Sequence, residues 1–131
     1  MKDENLQGMT TKEKQVFAAK CFSKYCEEKG IVHPSIDALI EHLMSIATFE
    51  NIVDGERKGA QFELAGRGDE IPKSLDSILA LEDKSFFIEL VDCVVEVGIV
   101  DMYGAATAES TFFLKKCIAL LEQNKVTLPT I

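Results

Sequence analysis

Residues 86–97 read Phe86-Phe87-Ile88-Glu89-Leu90-Val91-Asp92-Cys93-Val94-Val95-Glu96-Val97, and the fold class turns on whether they form a helix or a strand. Val91, Val94, Val95 and Val97 suit a strand, because β-branched side chains pack well on a pleated surface. Phe86, Leu90 and Val94, however, repeat every fourth residue, while Glu89, Asp92 and Glu96 fall at i, i+3 and i+7 on the opposite side. A period near 3.6 separates these two sets, which favours helix. The expectation is a buried central helix beginning after Asp83, with Phe86, Phe87, Leu90, Val91, Val94 and Val95 on one broad apolar face; a strand is the rival.

Outward from this segment, helical periodicity recurs with recognisable caps. Thr10-x-x-Glu13 fits a capping box, and Phe17, Cys21, Phe22 and Tyr25 then recur at helical spacing as far as Gly30, a suitable left-handed cap. This predicts a helix over about residues 11 to 29. Pro34 suits the first turn of a second helix, where its missing amide hydrogen has no acceptor. Ile36, Leu39, Ile40, Leu43 and Ala47 follow as one apolar stripe. From Asn51 to Pro72, glycines at 55, 59, 66 and 68 interrupt a charged stretch, predicting a long polar loop with one helical turn around Ala60 to Leu64. Pro72 and Lys73 lead into a short helix carrying Leu75, Ile78 and Leu79. Gly98 to Gly104 reads as a break or a bend. Thr107 can cap a last helix bearing Phe113, Leu114, Cys117, Ile118 and Leu121, with Asn124 as its C-cap and a non-helical tail from Val126. The chain is expected to be one irregular all-α array of about five helices, preceded by a flexible tail over residues 1–9.

The composition suits a single domain: 131 residues, 47% of them hydrophobic. At this size about two-thirds of the open-chain surface can be buried without a metal or disulfide. The longest stretch free of charge, His42 to Phe49, is eight residues, against the roughly 20 apolar residues of a membrane span. Met1-Lys2-Asp3-Glu4-Asn5 carries acids where a signal peptide has its apolar run, so the expected compartment is the cytoplasm.

No motif specifies a reaction. Cys21 and Cys26, five residues apart, lie about 140° apart around a helix and cannot jointly grip a metal ion, so they, Cys93 and Cys117 read as small core residues. His33, Asp37, Glu41 and His42 share helical spacing that could begin a metal site or a metalloenzyme centre. Without an H-E-x-x-H pattern, the simpler reading makes His33 a residue at the helix start and Asp37 with Glu41 a hydrated face. Gly66-Arg67-Gly68-Asp69 lacks the Lys-Ser or Lys-Thr of a phosphate loop and reads as a polar turn. No cofactor and no metal are expected.

Charge is more informative. The 22 acids and 14 bases leave a net charge of −8, and residues 31 to 109 hold 16 acids against five bases. That field disfavours direct binding to nucleic acid, which needs clustered Lys and Arg. The lysines at 12, 14, 20 and 24 read as the solvated face of the first helix. An acidic face suits a cationic macromolecule and can mimic phosphates.

The runs FFIELVDC (Phe86 to Cys93) and VGIVDMYGAATAESTFFLKKCIALL (Val97 to Leu121), with the size, acidity and helical make-up, resemble helical members of the bacterial contact-dependent growth inhibition immunity proteins. Those proteins share no universal motif, so no site residue carries over. The resemblance implies a cytoplasmic, non-catalytic binder that occludes the basic active site of a toxin, often a nuclease. On the charge pattern, the toxin-binding candidates are Asp54, Glu56, Glu63, Asp69, Glu70, Glu89, Asp92, Glu96, Asp101 and Tyr103, with Phe49 as a further apolar anchor. A helical adaptor that self-associates through apolar helices is the alternative, and a His/carboxylate metalloenzyme the third reading.

Overall fold

The computed structural model describes residues 8–45, 72–79, 81–99 and 108–129, and every regular element among them is helical. In chain order these are α1 (Thr11–Lys29), α2 (Pro34–Ser45), α3 (Lys73–Asp76), α4 (Leu81–Ile99) and α5 (Ala108–Gln123). The fold is all-α, and the valine-rich segment is helix rather than strand. Its valines face neighbouring helices and are buried, so side-chain packing outweighs their β propensity.

Both ends of α1 are closed as its sequence dictates. The Thr10 amide donates to the Glu13 carboxylate at 3.0 Å, and the Glu13 amide donates to the Thr10 hydroxyl at 3.1 Å. At the other end Gly30 is left-handed, with φ 67°. Its amide donates to Glu27 O and that of Ile31 to Cys26 O, a paired closure of otherwise orphaned carbonyls. The end of α5 repeats this arrangement one residue later than expected. Asn124 follows the last helical residue and donates from its side-chain amide to Leu120 O at 2.8 Å, but the left-handed residue is Lys125, with φ 58°. Its amide reaches Glu122 O and that of Val126 reaches Leu121 O, which draws Val126 into the core.

The core joins faces of α1, α2, α4 and α5. α1 is the hub, packing against α2, α4 and α5, while α4 and α5 share the most extensive contact. The centre is therefore α1 rather than α4 alone. The small side chains of Ala18 and Ala19 are fully buried, and Phe22 and Phe87 meet at a ring separation of 5.6 Å across α1 and α4. Because α1 is covered on several sides, its lysine face is not uniformly solvated: Lys14 is only 7% exposed, and Lys12, Lys20 and Lys24 are partly buried. Beside Lys14, the buried Gln15 side chain donates to the Val94 carbonyl at 2.7 Å, pinning α1 to α4.

Three further expectations change. Ile78 lies beyond the single turn of α3 and is 50% exposed, whereas Leu75 and Leu79 are buried. α4 begins at Leu81 and continues through Gly98 to Ile99, because burial of Val94 and Val97 holds the last turn despite the glycine. Met9, assigned to a free tail, packs partly buried against the core. Ala47, the turn expected around residues 60–64, Gly104 and Thr107 lie outside the described residues, as does most of the expected loop from 51 to 72.

Candidate functional site

α4 concentrates the acidic charge among the described helices. It carries Glu82, Asp83, Glu89, Asp92 and Glu96 against a single base, Lys84. Lys84 is already engaged, with its ammonium 2.5 Å from the Asp76 carboxylate of α3. Phe87, Leu90, Val91 and Val94 turn into the core, so the period of the helix leaves Glu89 exposed and Asp92 and Glu96 partly exposed on the outer side. These three of the expected toxin-binding residues lie on one stripe. Asp54, Glu56, Glu63, Asp69, Glu70, Asp101 and Tyr103, with Phe49, lie outside the described residues.

α5 adds two features that charge counting missed. Phe112 is 57% exposed, edge-to-face with Phe113 at a ring separation of 5.3 Å, and the Lys116 ammonium stands 5.8 Å from the centre of its ring. Lys116 and the α4 carboxylates act on one thiol. Burial first pushes the Cys93 pKa up, Lys116 pulls it down, and Glu89, Asp92 and Glu96 push it up again. Lys116 therefore stands near the acidic stripe, and one helical turn from it is an exposed aromatic ring. Helical spacing in α5 groups Phe112 with the exposed Lys115, Ala119 and Glu122, and that grouping is the signal in the sequence that could have found it.

All four cysteines are buried free thiols; burial pushes Cys21 and Cys26 up to about 12, with Asp37 adding to Cys26, and raises Cys117 strongly. A thiol so poorly ionised is a poor nucleophile. His33 and His42 do not face one another across a site. His33 accepts the Ser35 amide at Nδ1, 3.0 Å away, and its Nε2 lies 2.9 Å from the Ser74 hydroxyl. His42 is 6% exposed and turned inward, while Asp37 and Glu41 face solvent. Among the described residues, no three His, Cys, Asp or Glu side chains gather as metal ligands would, and no helix is long and apolar enough to cross a membrane. Comparison with known protein families, with curated proteins and with solved structures finds no match to this chain.

Proposed function

We propose that this protein is a non-catalytic inhibitor, an immunity protein that binds a basic toxin domain such as a nuclease and covers its active site. The observation that carries the reading is the outward stripe of Glu89, Asp92 and Glu96 on a helix whose opposite side is core and whose only base is paired elsewhere. The stripe sets carboxylates on the outer side of the helix, the sign of charge that a basic active site attracts. Phe112 supplies the aromatic anchor that protein interfaces commonly place beside such charge. The resemblance of residues 86–93 and 97–121 to helical immunity proteins supports the same reading.

The test is co-expression with the product of the gene immediately upstream. Under the proposal, the C-terminal part of that product stops growth alone, is harmless beside this protein, and co-purifies with it. The triple variant Glu89→Gln, Asp92→Asn, Glu96→Gln should associate about tenfold more slowly at low salt and lose most of its salt dependence, since exposed charges act chiefly on encounter. A complex whose association rate ignores both ionic strength and these substitutions refutes the charge mechanism; an upstream product that is neither toxic nor bound refutes the inhibitor.

A further inference from the structure

We propose that His33 is an acid-sensitive latch joining the start of α2 to α3. Its imidazole occupies the position before the first helical residue, Pro34, and accepts the Ser35 amide through Nδ1 at 3.0 Å. An accepting Nδ1 places the neutral ring's hydrogen on Nε2, which then donates to the Ser74 hydroxyl at 2.9 Å. One flat ring therefore performs two tasks, capping α2 and tethering α3. Through this tether the chain that leaves the far end of α2 at Ser45 returns, by Ser74, to the beginning of the same helix.

Protonation sets these tasks against each other. A hydrogen added at Nδ1 would point at the Ser35 N–H, turning an acceptor into a second donor, and would put positive charge on the positive end of the helix dipole. The ring must move away from Ser35, and because both nitrogens belong to one rigid group, the Ser74 contact leaves with it. The charged groups around the joint are of mixed sign and do not replace the cap: Asp37 one turn into α2, Lys73 and Asp76 beside Ser74, Lys84 held by Asp76, and Glu27, Glu28 and Lys29 in the last turn of α1. The latch is closed while Nδ1 carries no hydrogen and opens when it gains one.

The experiment uses the full chain and two readouts by nuclear magnetic resonance. At pH 7.5 the ring nitrogens of His33 should report the tautomer with hydrogen on Nε2; hydrogen on Nδ1 overturns the proposal without any variant. Between pH 7.5 and 5, protection of the Ser35 amide against exchange should fall about fivefold, the worth of a helix cap, together with the amides of Leu75 and Asp76, while amides in the middle of α1 hold. His33→Asn supplies a cap that does not titrate and should remove this pH dependence. Protection that stays constant in the unaltered protein, or falls equally in His33→Asn, overturns the latch.

Discussion

Replacing the amide of Gln15 with a carboxyl group should convert the pin between α1 and α4 into a pH-dependent fault. Gln15 is buried, and its Nε2 donates to the Val94 carbonyl at 2.7 Å across 79 residues of sequence. In Gln15→Leu the donor disappears, but Val94 O keeps its place in the hydrogen-bond ladder of α4, so the loss is about 1 kcal/mol at any pH. Gln15→Glu keeps the shape and sets a carboxylate oxygen against the carbonyl oxygen. Desolvation and that repulsion both disfavour the charged form, raising the folded-state pKa of the introduced carboxyl above its unfolded value of about 4.3. A rise of about two pKa units corresponds to about 2.7 kcal/mol. For a raised pKa the folded state holds the extra proton, so the variant is least perturbed below about pH 4. It loses stability as the pH climbs through the folded-state value and is flat above it. Urea denaturation of the three proteins at pH 4, 6 and 8, followed by far-ultraviolet circular dichroism, measures this directly. A gap between Gln15→Glu and Gln15→Leu that does not widen with pH would show that the side chain is not buried against Val94 O and would refute the pin between α1 and α4.

At the start of α1, Thr10→Ala should cost about 1 kcal/mol of stability by thermal denaturation, the usual worth of an N-cap. The Glu13 carboxyl is held below its usual range by the Thr10 backbone amide and then by its hydroxyl. Its contribution is therefore whole above the ordinary glutamate pKa and is lost as pH falls through the lowered folded-state value. The melting temperatures of wild type and Glu13→Gln should converge in acid, and a constant difference contradicts the capping box. With Cys21 and Cys26 pushed up to about 12, and with Cys93 and Cys117 also raised, an aromatic disulfide reagent at pH 8 should label the native protein no faster than it opens. All four thiols should react promptly in denaturant; rapid labelling of one native thiol would reveal an exposed site.

The elements most legible in the sequence are those whose signals are local. Thr10 and Glu13 stand one turn apart and meet because a helix start brings them together, and Gly30 is left-handed because it alone lacks the Cβ that resists that conformation. The fourfold repeat of Phe86, Leu90 and Val94 was enough to outweigh a run of valines. Lys125 shows where local rules stop: Asn124 is the better left-handed residue, yet burial of Val126 draws the turn one position on. Likewise no pattern marks Lys14 as buried, since α1 packs against three other helices and its surroundings are set by tertiary contacts. Of the acidic candidates, the stripe on α4 was readable because its spacing is helical, whereas the nearness of Lys116 to it follows only from α5 packing against α4.

Period and capping chemistry thus established, without any partner, that this chain folds as helices and where α1 begins and ends, because those interactions act over one or two turns. Which helix lies at the hub, that Gln15 locks onto Val94, and that one histidine serves two helices were settled only by packing. Such contacts join residues tens of positions apart, and nothing in a linear pattern records which apolar face meets which.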